Sequence, residues 1–129
     1  MEVRAIARQQ RISPLKAREV AREIQGLSAS HALDLLNFVP KKAATLIGKT
    51  LKSAVANAEH NNGLEPNSLT VKSAIVTEAR HLGRITQRAK GSASPIKRRS
   101  SHITIVLTDE IPAAEPKAKK GASRRPTAE

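Results

Sequence analysis

Residues 69–109 read LTVKSAIVTEARHLGRITQRAKGSASPIKRRSSHITIVLTD, and this stretch decides the fold. Both of its ends alternate with period two. Leu69, Val71, Ser73 and Ile75 fall on one side, with Thr70, Lys72, Ala74 and Val76 on the other. In His102–Asp109, Ile103, Ile105 and Leu107 stand against Thr104, Val106 and Thr108. Such alternation marks half-buried strands. The segment between them, RHLGRITQRAKGSASPIKRR, has a turn-like centre at Lys90-Gly91-Ser92, which predicts an antiparallel hairpin. Its connection far exceeds the about 2–5 residues of an ordinary hairpin loop. If both strands run to the tip, each arm gains roughly 10 residues, and at about 3.3 Å per residue the tip stands roughly 30 Å from the body. Leu82, Ile85 and Ile96 are too few to give the arm a core. A bare two-stranded ribbon is marginal in water, so a partner is expected to complete it.

Upstream, Glu2 to Gln10 reads as another strand, with Val3, Ala5 and Ala7 on its apolar side. Ser13-Pro14 opens a helix, because Ser caps well and Pro is tolerated at the first helical position. Ala17, Val20, Ala21 and Ile24 form its stripe, and Gly26 supplies a stop. A short second helix capped by Ser28 or Ser30 buries Ala32, Leu35 and Leu36. Pro40 ends it and starts a third helix over about residues 41–60. There Ala44, Ile47, Leu51, Ala54, Val55 and Ala58 share a face, and Asn61-Asn62-Gly63 terminates the element. Residues 1–110 thus form one domain with the extended hairpin at about 80–100. Residues 111–129, rich in Pro, Ala and Lys, read as a disordered basic tail.

Charge narrows the function. The chain has 129 residues with 23 Lys and Arg against 11 Asp and Glu, a net charge of +12. Residues 79–100 alone carry 7 basic side chains and no acidic one, and no Asp or Glu occurs between Ala79 and Thr108. Soluble surfaces mix both signs, so a stretch this one-sided points to a polyanion, with nucleic acid ahead of an anionic membrane. Cysteine is absent, which excludes disulfides and thiolate metal sites. No run approaches the ~20 apolar residues of a membrane helix, and the N-terminus lacks the apolar centre of a signal peptide. A cytoplasmic protein fits.

No enzyme or cofactor signature is visible. His31, His60, His81 and His102 lack metal-ligand spacing, so no metal is expected. No nucleophile–base, paired-carboxylate or phosphate-loop pattern occurs. Gly83 and Gly91 read as turn or flexible positions. The basic arm is therefore the candidate site, with Arg80, Arg84, Arg88, Lys90, Lys97, Arg98 and Arg99 spread along it. Arg pairs bidentately with phosphate. Phe38 is the sole aromatic residue, so recognition should rest on RNA shape and backbone, with few base contacts. Asn57, Glu59, His60 and Asn61 either terminate the long helix or touch RNA. Lys16, Arg18, Lys41, Lys42, Lys49 and Lys52 either line solvated helix faces or reach peripheral phosphates. A nucleoid-type DNA-binding protein is the alternative reading.

The segment SAVANAEHNNG (residues 53–63) resembles a hallmark of the large-subunit ribosomal protein family numbered twenty-two. So does RITQRAKGSASPIKRRSSHITIVLTD (residues 84–109), with its RAKG tip, and Arg11, Ser13, Lys16 and Arg18 fit the family's first-helix pattern. The likeness spans about residues 3–110. It implies an α+β fold, three helices on a three-stranded antiparallel sheet with a long protruding basic hairpin. It also implies a structural role in the large ribosomal subunit, beside neighbouring ribosomal proteins and without homo-oligomerisation. In that family the hairpin reaches through the large-subunit (23S) RNA to the wall of the nascent-peptide exit tunnel. The implied RNA contacts are Arg11, Ser13, Lys16, Arg18, Arg80, His81, Arg84, Arg88, Lys90, Gly91, Lys97, Arg98, Arg99, Ser101 and His102. Leu82, Gly83, Arg84 and the tip residues Ala89, Lys90, Gly91, Ser92 and Ala93 are implied to line the tunnel. Gly83, Gln87 and Ser92 depart from the family pattern, which has basic residues or proline there. They lower the charge near the tip and loosen its backbone.

Overall fold

The computed structural model describes residues 1–110; the tail expected over 111–129 lies outside them. The order is strand β1 (Glu2–Gln10), helices α1 (Pro14–Ile24), α2 (Ala29–Phe38) and α3 (Lys42–Asn62), then strands β2 (Thr70–Gln87) and β3 (Ala93–Thr108). The strands form one antiparallel sheet in the order β1-β3-β2, so the expected α+β architecture is present. The last strand, β3, is central, with β1 and its hairpin partner β2 on the two edges.

The core is aliphatic throughout. Ile24 of α1, Ile47 and Leu51 of α3, and Ile103, Ile105 and Leu107 of β3 are fully enclosed. Each such side chain contributes about 1.5–3 kcal/mol by leaving water. The β3 alternation is as read from sequence. That of β2 is not: Leu69 and Val71 point inward, but then so do Ala74 and Val76, while Ile75 is half exposed. The pairing slips between Val71 and Ser73, so Lys72 is an extra residue and the faces exchange beyond it. Strict alternation cannot reveal a bulge, and for that reason it puts Ser73 and Ile75 on the wrong face.

The outer edge of β2 is closed by the turn between α1 and α2. Gly26 N–H donates to the Val71 carbonyl at 2.8 Å, Val71 N–H to Leu27 at 2.9 Å, and Ala29 N–H to Leu69 at 2.9 Å. Gln25 Nε2 donates to Ala74 and Arg18 Nε to Val76, at 2.8 and 3.1 Å. These bonds satisfy a strand edge that would otherwise be open.

Helix boundaries follow local chemistry with small adjustments. Pro14 is the first residue of α1, but the Ser13 side chain makes no capping bond; its carbonyl accepts from Ala17 N–H at 3.2 Å. Ser28, and not Ser30, caps α2, accepting from His31 N–H at 3.4 Å. Pro40 lies between α2 and α3, in neither helix, with Lys41 at the α3 N-cap. Helix α3 runs two residues past His60 and stops at Gly63, whose φ of 62° is left-handed and whose N–H reaches back to Glu59 at 3.1 Å. At the far end of the sheet, the Met1 amine bonds Asp109 at 2.5 Å and Glu110 at 2.6 Å. The Asp109 bond, then the Glu110 bond, holds the amine above its ordinary pKa. The same amine holds Asp109 below the usual carboxylate range.

Candidate nucleic-acid interface

Beyond Ala79, the last buried residue of β2, the hairpin continues as a two-stranded arm. Leu82 pairs with Arg98, Gly83 with Lys97, Arg84 with Ile96, and so on to Gln87 with Ala93. At about 3.3 Å per residue the arm extends roughly 25 Å past Ala79. The tip closes through Lys90 and Gly91, both left-handed with φ of 58° and 69°, and Arg88 N–H donates to the Ser92 carbonyl at 2.8 Å. Gly91 suits that conformation, whereas Lys90 bears a Cβ there and is strained. Between Ala79 and Leu82 the register slips, setting Arg80 and His81 against Arg99 alone. A bulge at this root turns the arm relative to the sheet.

Folding redistributes the charge. In sequence the cations of residues 80–99 look evenly spread. In space Arg84, Lys97, Arg98 and Arg99 gather at the root, where Arg11, Lys16 and Lys42 from the first strand–helix turn and the start of α3 meet them. Together with Ile12, Ser13, Leu82 and Ser100 they line one groove of about 710 Å³ that has no acidic side chain. Lys42 Nζ donates to the Arg11 carbonyl at 2.9 Å, tying the two body segments together. The next rungs, Ile85–Pro95, Thr86–Ser94 and Gln87–Ala93, are uncharged. Charge returns only at the tip, with Arg88 and Lys90. The expected tunnel residues therefore form two groups. Leu82, Gly83 and Arg84 sit at the root and Ala89 to Ala93 at the tip, all exposed.

Seven cations around one groove repel each other unless an anion enters. Their side chains are exposed, so water and salt screen them in the free protein. Arg84 Nη1 donates to its neighbour's carbonyl, Gly83, at 2.9 Å, and otherwise the arm's guanidinium groups are free among the described residues. The arrangement suits a phosphodiester backbone, which brings several negative charges at regular spacing.

Not every expected contact is presented to a ligand. Arg18 is half-buried and its Nε is engaged by Val76. Ser101 is fully buried, with no hydrogen-bond partner for its Oγ. It follows the inward alternation of Ile103, Ile105 and Leu107, so it faces the core. His102 is half-buried, and its Nδ1 accepts the N–H of Gln9 at 3.1 Å. That bond supports the β1 irregularity between Ala7 and Gln10, where Gln9 adopts a left-handed φ of 52°. Arg80 and His81 are exposed at the bulge but outside the groove lining. Lys42 is the groove residue that sequence reasoning left undecided. Only the Lys41-Lys42 doublet hinted at it, since 31 residues separate it from Arg11.

Among the described residues no His, Asp or Glu cluster could hold a metal, and no helix is long and apolar enough to cross a membrane. The architecture is that of a structural polyanion binder: a small body, a long ribbon, and a cationic groove where they join. A family model described as ribosomal protein L22p/L17e matches residues 5–108, and the chain belongs to that family. The large ribosomal subunit protein uL22 of Akkermansia muciniphila is 53% identical over 110 residues, covering 85% of this chain and 98% of the relative. The uL22 of Opitutus terrae is 50% identical over 109 residues, covering 84% and 96%. That of Methylacidiphilum infernorum is 50% identical over 110 residues, covering 85% and 96%.

Proposed function

We propose that the root groove and the arm are two parts of one binding surface for large-subunit ribosomal RNA. As a member of its family the chain is a structural, non-enzymatic constituent of the large ribosomal subunit, working in the cytoplasm beside other ribosomal proteins. This decides against the nucleoid alternative. The observation that carries the surface assignment is the convergence of seven cations and no acid on one groove. Phosphates enter the groove against Arg11, Lys16, Lys42, Arg84 and Lys97 to Arg99, while the arm passes between RNA segments. Its neutral rungs meet ribose and base surfaces without fixing a phosphate track. The tip, with Arg88, Lys90 and Gly91, reaches the wall of the exit tunnel and there meets the nascent peptide. The protein acts as a single copy. Residues 1–110 form the RNA-binding unit.

The test is incorporation. A variant with Arg88, Lys90, Lys97 and Arg98 changed to Ala keeps its circular dichroism spectrum, because all four side chains are exposed. It should be depleted from large subunits on sucrose gradients. Wild-type incorporation would sink the assignment.

A further inference from the structure

The geometry points to a second RNA contact of a different kind: the corner between α2 and α3 takes one unpaired nucleobase, stacked on Phe38. Phe38 is the only aromatic residue of the chain and the last residue of α2, and it is 87% exposed. In a chain short of large apolar groups, the largest apolar ring is left outside the core.

Its surroundings fit a nucleotide. Phe38 itself stands outside the lining, but its chain neighbours Asn37 and Val39 line a cleft of about 240 Å³ between α2 and α3, with Leu36 at its wall. Gly48 lies on the facing helix. A Cβ added there would meet only Leu36 Cδ1 at 4.0 Å, so the cleft is open at that point. Asn37 carries both a donor and an acceptor, which can pair with a base edge. Lys49 and Lys52 line the same cleft and, among the described residues, have no ion-pair partner. Asp34 is the one carboxylate on either helix before Glu59. A stacking ring, an amide and two free ammonium groups supply what a base, its edge and its phosphate need. A peptide partner would leave the two ammonium groups without use, so charge complementarity favours RNA.

This inference rests on the ribosomal RNA reading, and the experiment separates the two. A transcript of the large-subunit ribosomal RNA is probed with base-specific chemical reagents and with hydroxyl radicals, bound to wild type, Phe38→Ala or Phe38→Trp. Wild type and Phe38→Trp should protect one or a few unpaired bases that Phe38→Ala leaves reactive, with the backbone footprint unchanged. Affinity should fall about tenfold in Phe38→Ala, in line with loss of one stacked base. Identical base reactivity for wild type and Phe38→Ala overturns the proposal. So does loss of a neighbouring protein from assembled subunits with an unchanged base map, which would assign Phe38 to a protein contact. If wild type protects no part of the transcript, the RNA-binding reading itself fails.

Discussion

Replacing Lys97, Arg98 and Arg99 together with Ala removes three of the seven groove cations while touching no buried side chain. Each phosphate contact releases counterions, so log affinity falls with log salt by roughly 0.7–0.9 per contact. The triple variant should therefore lower the slope of that plot by about 2–3. At 0.15 M salt one contact is worth about fivefold by the same relation, and three about 10²-fold. Filter binding to a large-subunit RNA transcript, repeated across salt concentrations, measures both quantities. The double change of Lys16 and Lys42, on the body side of the groove, should lower the slope by roughly 1–2. If the body side leaves the slope untouched while the arm side lowers it, the groove is not one site. If the triple variant keeps the wild-type slope, the reasoning from convergent charge is wrong.

Three further outcomes concern the body. Gly63→Ala places a Cβ in a left-handed position with no steric neighbour, so it should cost about 1–2 kcal/mol from backbone strain alone, measured by denaturant unfolding. Arg18→Ala should destabilise by roughly 1–3 kcal/mol because it strips the donor from the Val76 carbonyl on the β2 edge; unchanged stability would make Arg18 a ligand contact only. The Met1–Asp109 pair should respond to pH in both directions. Its contribution is complete between the ordinary values near 3.8 and 8.0, and it is lost as acid protonates Asp109 through its lowered pKa. It is lost again as base deprotonates the Met1 amine through its raised one. Asp109→Asn should remove the acid limb and shrink the alkaline one, which the Glu110 bond sustains in part, and a profile unaltered by that change would show the Asp109 bond to be energetically silent.

Much of this fold was legible. The three alternating segments became the three strands, and Pro14, Gly26 and Gly63 marked helix limits, because those signals act within a few residues. The reading of Thr70 to Val76 failed because one inserted residue, Lys72, reverses the faces without disturbing composition. The site was legible as a list and not as a shape. Arg11, Lys16 and Lys42 belong with the hairpin root only because β1 pairs with β3 and α3 returns beside α1. Ser101 and His102 follow the basic run in sequence, but strand alternation buries Ser101 and the Gln9 bond engages His102 Nδ1, which the sequence pattern does not show. Phe38 carried no periodic signal, and only the observed exposure shows that it is spare.

Groove and arm together are proposed to hold large-subunit ribosomal RNA. Ultraviolet crosslinking of the tagged protein in cells, followed by sequencing of the attached RNA, tests it most directly. Crosslinks should concentrate on large-subunit RNA, at several positions distant in sequence, and should be largely lost when residues 82–98 are deleted. Crosslinks scattered over messenger and transfer RNA, or unchanged by the deletion, would contradict it.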